Sequence, residues 1–207
     1  MTPRQPQADW LSGNLSSSSG LWWKPEPSHA WNPWISVVGN LTAVAFPDYA
    51  MKRIEIRAAE AADAVLIVDF IRQLAEYERL SNECLVTEAA IQEHLFGDRP
   101  CAEALIVSSD DRPVGFALFF HNFSTFLAKP GIYIEDLYVE PEARGKGHGK
   151  ALLKRIFEIA RERDCGRVEW SVLNWNEPAI RFYESLGAKP MNEWTVYRVA
   201  DGAVGVL

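Results

Sequence analysis

The sequence predicts an α/β fold with a mixed, mostly antiparallel sheet that contains one parallel strand–helix–strand crossover. Two β-rich runs, 102–107 and 114–120, are joined by Ser, Asp and Pro residues, which is typical of a hairpin turn. Two further β-rich runs, 133–139 and 167–173, are separated by a glycine-rich loop and a long amphipathic helix. A strand, helix, strand order of this kind produces a parallel crossover.

The composition fits one domain of catalytic size plus an appendage. The chain has 207 residues, and 48% of them are apolar, which is enough for a substantial core. The net charge of −7 argues against a nucleic-acid or anionic-membrane surface and is compatible with a cationic substrate. The three cysteines are widely spaced and match neither a disulfide framework nor a metal cluster, so we expect no metal and a cytoplasmic protein. No apolar run is long enough to cross a bilayer.

Residues 1–50 differ from the rest of the chain. They hold most of the tryptophans and a serine run, with no sustained helical or alternating period. Met51 then opens a clean alternating strand at 52–57. We therefore expect 1–50 to be an irregular extension upstream of the natural start at Met51, and 51–207 to be the functional domain. A tryptophan-rich docking arm is the alternative.

The remaining elements follow from apolar spacing and capping residues. Residues 61–80 have the helical period and end in Tyr77 and Glu78, and Thr87 is the N-cap of a second helix. The hairpin comes next, and residues 122–131 are expected to be a loop. It leads into the central strand, 133–139, which has the composition of a strand buried on both faces. After the crossover, Asn176 caps a last helix that Gly187 ends, and residues 195–199 are expected to be a final strand.

The glycine-rich loop at 144–149 predicts a phosphate-binding turn. Glycines just before a helix let unpaired N–H groups approach an anion, and the helix dipole adds a partial positive charge. Ala151 stands where a P-loop needs Ser or Thr to hold magnesium, and the strictly alternating glycines do not match the dinucleotide fingerprint. The pattern that remains is Arg-x-x-Gly-x-Gly, with Arg144, Gly147 and Gly149 in the defining places. A plain solvent-exposed turn is the alternative.

The loop, the central strand and the runs 174–183 and 186–188 resemble the GCN5-related N-acetyltransferases (GNAT) across residues 52–199. They are most similar to the diamine (spermidine/spermine) acetyltransferase branch, which includes thialysine acetyltransferases. The resemblance implies the GNAT fold and acetyl-CoA as co-substrate. It also implies a homodimer and a small primary amine as acceptor, such as a diamine, a polyamine or a lysine-like amino acid. The loop at 122–131 differs from that of the animal polyamine enzymes, so the amine itself stays open.

The resemblance also implies roles for individual residues. Tyr183 corresponds to the general acid, and Glu135 to the residue that touches the amine and its activating water. The acceptor-facing residues are Tyr77, Glu78, Glu135 and Asp136. The coenzyme-binding residues are Leu137, Tyr138, Val139, Arg144, Gly145, Lys146, Gly147, His148, Gly149, Lys150 and Asn176.

The proposed chemistry also follows from the residue types. An alkylammonium with a pKa of about 10.4 must lose a proton before it attacks a thioester, and burial raises the pKa of a strand carboxylate toward the working pH. A tyrosine held near the sulfur can protonate the departing thiolate. No cysteine lies in a motif with a base, which favours direct transfer.

Three of these residues also fit a structural role. Glu135 could pair with a buried arginine such as Arg181, and Asp136 is equally consistent with a structural role. Tyr183 could pack in the core beside Phe182, although two successive aromatics on a short helix are not expected to face one core.

The end of the first predicted helix, the glycine-rich turn and the overall function each allow a second interpretation. Tyr77 and Glu78 could form a solvated helix end. His148 is expected to be an incidental polar residue in the turn. Instead of a small-molecule acetyltransferase, the protein could be a protein or peptide N-acetyltransferase or a catalytically silent acyl-CoA sensor.

Overall fold

The computed structural model describes residues 53–199, so the predicted extension at 1–50 lies outside the described residues. Within them, short 3-10 turns precede the first three helices. The helices and strands, in chain order, are β1 (Ile54–Ala58), α1 (Ala64–Glu78), α2 (Glu88–Phe96), β2 (Glu103–Ser109), β3 (Arg112–Ser124), β4 (Lys129–Val139), α3 (His148–Glu162), β5 (Val168–Trp170) and α4 (Glu177–Ser185).

The five strands form one sheet in the order β1-β2-β3-β4-β5. Neighbouring strands are antiparallel except for β4 and β5, which are parallel and are connected through α3. The predicted mixed sheet with one strand–helix–strand crossover is therefore confirmed.

The sheet has an apolar cluster on each face. Along β3, Phe116 and Leu118 belong to the cluster under α1 and α2. Ala117 and Phe119 belong to the cluster under α3, against which α4 also packs. This alternation is the period of two expected for a strand that is covered on both faces.

The hairpin prediction is confirmed, whereas the loop predicted at 122–131 is shorter than expected and spans only 125–128. Asp110 and Asp111 both have positive φ and join β2 to β3 in a tight turn. Beyond His121, the ladder between β3 and β4 continues to the pair formed by Ser124 and Lys129. The turn-type residues and the proline in 122–131 do not predict strand, so the sequence did not indicate that β3 and β4 extend into this region. The backbone pairing of the two long antiparallel strands stabilises the extension.

The expected final strand at 195–199 is also wrong. These residues have no strand pairing in the described part of the chain, and the side chains of Val196 and Tyr197 are exposed. Their alternating composition fits a strand, but a strand also needs a neighbour for its backbone groups.

Both predicted N-caps are confirmed. Thr87 Oγ1 accepts a hydrogen bond from the Ala90 N–H at 3.2 Å at the start of α2. Asn176 Oδ1 accepts one from the Ala179 N–H at 3.4 Å at the start of α4. Each side chain satisfies one of the unpaired donors of its helix.

Candidate active site

A β-bulge at Glu135 interrupts the middle of β4. Leu118 of β3 pairs with Asp136, while the next residue, Phe119, pairs with Ile134. Glu135 is therefore the extra residue on β4. Bulges bend a strand and redirect its side chains, and they occur often beside active sites.

The bulge places both adjacent carboxylates on the side of the sheet that faces α1. Ile134 and Tyr138 are four residues apart and would share a face in a regular strand. Instead, Ile134 packs under α3 and Tyr138 packs under α1. Asp136 shares the face of Tyr138, and Glu135 lies opposite to Ile134, so both point toward α1.

The end of α1 adds a third carboxylate to this pair. Arg79 has a left-handed backbone, with φ of 64°, and ends the helix just after Glu78. Burial raises the pKa of Asp136 to about 6, and the charges of Glu135 and Glu78 add to the rise. Burial also raises the pKa of Glu78. Glu78, Glu135 and Asp136, here called the acidic cluster, form no ion pair with any described residue.

Two expectations about Glu135 need correction. The bulge leaves it exposed, so the desolvation expected inside the strand acts on Asp136 instead. Arg181 is not its partner, since Arg181 is exposed and pairs with Glu177 at 3.0 Å along α4.

Tyr183 on α4 lies next to the acidic cluster. Burial raises its pKa to about 12, and the charge of Glu78 adds to the rise, so the hydroxyl stays protonated at neutral pH. Its ring lies 5.0 Å from the ring of Trp170 and 5.4 Å from that of Phe182. Phe182 and Tyr183 both pack against the α3-side cluster, contrary to the expectation that successive aromatics cannot face one core.

The parallel strands β4 and β5 separate at this point. They pair over three residues only, from Ile132 with Val168 to Ile134 with Trp170. The predicted strand 167–173 is therefore shortened. Beyond Ile134, the described residues give β4 no strand partner on this side. The backbone groups of Leu137–Val139 that face this side are therefore open to a ligand, except for the Val139 carbonyl, which accepts a hydrogen bond from Arg144. We call the space between the two strands the groove.

The loop after β4 presents a helix N-terminus beside the groove. Gly145 and Gly147 have φ of 73° and 94°, a region that favours glycine, and Gly147 precedes α3 without a side-chain cap. Gly149 lies inside the first turn of α3, where an added Cβ would make only an ordinary contact with Phe182. Within the loop, the predicted coenzyme-binding residue Lys146 donates from its Nζ to the carbonyl of Glu142. Because Gly147 provides no side-chain cap, the first-turn N–H groups of α3 remain available for an anion.

His148 is not the incidental polar residue that the sequence suggested. It is 2% exposed, and its Nδ1 lies 2.9 Å from the Ala143 carbonyl oxygen. The first residue of α3 is thus part of the core under the loop.

A stack of side chains links the loop to the end of α1 and the start of α4. The Arg144 guanidinium lies 4.5 Å from the ring centre of Tyr77, while its Nε donates to the Val139 carbonyl at 2.8 Å. The Tyr77 hydroxyl donates to Asn176 Oδ1 at 3.1 Å, and its ring lies 5.8 Å from that of Trp175. Trp175 is not among the residues predicted from the sequence, where the only signal for it is an aromatic residue next to a cap.

A cleft of about 590 Å³ opens beside this stack. Its walls come from the last turns of α1 and from the segment that follows β4. Tyr77, Tyr138 and Arg144 line it together with glutamates, one of which, Glu140, pairs with Arg112 at 2.7 Å. The loop therefore borders open space on its α1 side.

Comparisons with known proteins identify this arrangement. The sequence profile of the acetyltransferase (GNAT) family matches residues 69–188, which is more than half of the chain. The chain belongs to this family. It is 36% identical over 168 residues to a thialysine N-epsilon-acetyltransferase of Bos taurus, a match that covers 76% of this chain and 98% of that protein. The predicted GNAT resemblance is confirmed, and the protein is an N-acetyltransferase.

Two further similarities support the assignment. The acetyltransferase is 31% identical over 197 residues to the L-ornithine N5-acetyltransferase of Arabidopsis thaliana, covering 73% of this chain and 86% of that one. Its fold matches an integron cassette protein from the mobile metagenome of V. cholerae with a TM-score of 0.63 and 25% identity, covering 74% and 96% of the two chains.

Two kinds of feature are absent from the described residues. No helix among them is long and apolar enough to cross a membrane. No group of three or more His, Cys, Asp or Glu side chains within 53–199 is arranged to hold a metal ion.

Proposed function

We propose that this N-acetyltransferase transfers the acetyl group of acetyl-CoA to a primary amine of a small diamine, polyamine or lysine-like amino acid. The acidic cluster carries this proposal. Its three carboxylates lie together without an ion-pair partner among the described residues, and Glu78 also sits at the negative end of the α1 dipole. Such an arrangement costs free energy in the ligand-free protein and is offset when a cationic amine binds.

The loop and the groove fit the coenzyme. An added Cβ at Gly145 would meet nothing within 4 Å, so the left-handed turn is open to a bulky anion. The first-turn N–H groups of α3, with Arg144 and the exposed Lys150, supply donors and positive charge for a diphosphate. The edge of β4 at Leu137–Val139 has no strand partner on the groove side and suits an amide-containing pantetheine arm. Asn176, which bonds to Tyr77 in the Arg144 stack, is the residue of α4 proposed to contact the coenzyme.

The residues of the acidic cluster have different roles in the reaction. Asp136, with a pKa of about 6, is ionised at neutral pH and holds the ammonium together with Glu78. The exposed Glu135 takes the ammonium proton through water, and the neutral amine then attacks the thioester carbon. The C–N bond forms, the C–S bond breaks, and the thiolate takes its proton from the Tyr183 hydroxyl. The resulting phenolate regains a proton, through water, from the positively charged nitrogen of the new amide.

The names of the relatives narrow the choice of amine. One acts on thialysine and the other on L-ornithine, and both of these substrates are amino acids with a side-chain amine. We therefore expect lysine-like amino acids to be the best acceptors, ahead of spermidine and spermine.

A panel of amines tests the proposal. Release of CoA from acetyl-CoA is measured with ornithine, lysine, thialysine, putrescine and spermidine, with a monoamine of matched length, and with a peptide that has a free N-terminus. We expect saturable turnover with a dication or an amino acid, and a much higher KM for the monoamine. A peptide as the best acceptor would make the enzyme a protein acetyltransferase. Tight CoA binding without turnover on any amine would make it a sensor.

Three further properties belong to this proposal. We propose a homodimer, which light scattering on the purified protein tests. We propose a cytoplasmic location, since the three cysteines are free thiols. We also propose that Met51 is the natural start, because the first strand, β1, follows directly after it, and a native peptide from before Met51 would contradict this.

A further inference from the structure

We propose that His148 is a positioning residue that holds the phosphate loop in its binding conformation at the expense of core stability. This inference rests on the proposed binding of CoA at the loop. Three observations support the inference: the hydrogen bond of Nδ1, the unpaired Nε2 and the position of His148 on α3.

His148 occupies a position where an apolar side chain would pack. It is the first residue of α3, and the residues four and eight positions further on, Leu152 and Ile156, are fully buried under the same face. A Cβ added at the neighbouring Gly147 would lie 3.7 Å from the Ile54 side chain, so apolar groups surround this end of α3. A leucine at 148 would therefore continue the apolar face of the helix.

The imidazole of His148 closes the loop. Its Nδ1 lies 2.9 Å from the carbonyl oxygen of Ala143, and because a carbonyl only accepts, Nδ1 carries the hydrogen. Ala143 directly precedes Arg144, and His148 directly follows Gly147. The bond thus joins the two ends of the four-residue segment that includes both left-handed glycines, Gly145 and Gly147. Glycine is the most flexible residue, so this segment gains most from being fixed at both ends.

The other ring nitrogen shows that packing does not explain the residue. The Nε2 atom is buried and has no hydrogen-bond partner among the described residues. An unpaired buried polar atom destabilises a fold in either protonation state of the ring. The bond to Ala143 is therefore the contribution of His148 that an apolar residue cannot replace.

Two variants separate positioning from packing. His148→Leu removes both nitrogens and keeps an apolar body. His148→Asn keeps an amide N–H near the place of Nδ1 and so can donate to Ala143. Three quantities are measured on the full chain: the Tm, the Kd values of CoA and of pantetheine, which lacks the diphosphate, and the 15N order parameters of residues 144–147 without ligand.

For His148→Leu we expect a Tm equal to or above that of the wild type. CoA should bind about tenfold more weakly, and pantetheine as before. The order parameters of 144–147 should fall while those of the rest of α3 stay constant. His148→Asn should restore CoA affinity and loop order.

Three results would overturn the inference. The first is wild-type CoA affinity and loop order in His148→Leu. The second is a lower Tm with equal losses for CoA and pantetheine, which would indicate a merely structural role. The third is a loop in His148→Asn as loose as in His148→Leu. A wild-type enzyme that binds no CoA would refute the proposed function alone, because the order parameters still decide the role of His148.

Discussion

The hydroxyl of Tyr77 donates a 3.1 Å hydrogen bond to Oδ1 of Asn176 and thereby joins two helices that pack on opposite faces of the sheet. Tyr77 lies at the end of α1, and Asn176 caps α4. Asn176 is 8% exposed and Tyr77 is half-buried, so the bond is partly shielded from water. It links the two sides of the protein next to the point where β4 and β5 separate, and it also ties the Arg144 stack to α4.

Tyr77→Phe should lower the free energy of unfolding by about 1 kcal/mol, the net value of one partly buried hydrogen bond. The ring would stay between Arg144 and Trp175, so only the hydroxyl is lost. Urea unfolding measures the change. Tyr197→Phe is the matched control, because Tyr197 is 91% exposed and should show no effect. Equal stability of Tyr77→Phe and the wild type would mean that the bond does not hold α1 to α4.

The stability of the ligand-free enzyme should fall as the pH rises from about 4 to about 6. Folded Asp136 has a pKa of about 6 against its ordinary value of 3.8, so in this window the folded state binds more protons than the unfolded state. Above the window both states are ionised, and this contribution is constant. Asp136→Asn should remove this pH dependence and stabilise the fold at pH 7 by on the order of 3 kcal/mol. Denaturant titrations at several pH values measure this.

The same substitution should weaken amine binding. The KM for the amine should rise in Asp136→Asn, and in the wild type it should rise as the pH falls through about 6. Asp98→Asn is the control, because Asp98 is exposed after α2 and forms no ion pair within 53–199. A wild-type KM and an unchanged pH profile in Asp136→Asn would remove Asp136 from the amine site.

Gly147→Ala should weaken CoA binding by about tenfold, because alanine disfavours the left-handed backbone by roughly 1–2 kcal/mol. Gly187→Ala is a close control, since Gly187 has φ of 88° and also has free space for a Cβ. Both variants should lose similar stability, but only Gly147→Ala should lose CoA affinity in calorimetry. Equal CoA affinities in the two variants would mean that the loop does not bind the coenzyme.

Local signals were sufficient for much of this fold. Thr87 and Asn176 cap their helices as expected, and the two aspartates of the first hairpin form the turn. These features depend on side chains that bond to neighbours a few residues away, so a single sequence contains them. The parallel crossover was predicted in the same way, from the helical spacing of apolar residues between two β-rich runs.

The bulge at Glu135 could not be predicted in this way. Alternation places Glu135 and Asp136 on opposite faces, and only the register with β3 shows that both face α1. The contact between Tyr77 and Trp175 likewise joins residues that are far apart in the sequence. The prediction of a final strand was wrong for the opposite reason. The composition of 195–199 fits a strand, but these residues have no strand partner among the described residues. Nonlocal pairing decides each of these features.

Tyr183→Phe should lower kcat by about 10²- to 10⁴-fold and leave the Kd of CoA near the wild-type value. The ring would keep its contacts with Trp170 and Phe182, so the groove should stay intact and only the proton donor is lost. Steady-state CoA release gives kcat, and calorimetry gives the Kd. Because burial raises the pKa of Tyr183 to about 12, its deprotonation should not limit activity below about pH 10. An unchanged kcat in Tyr183→Phe would assign the protonation of the thiolate to another group or to water.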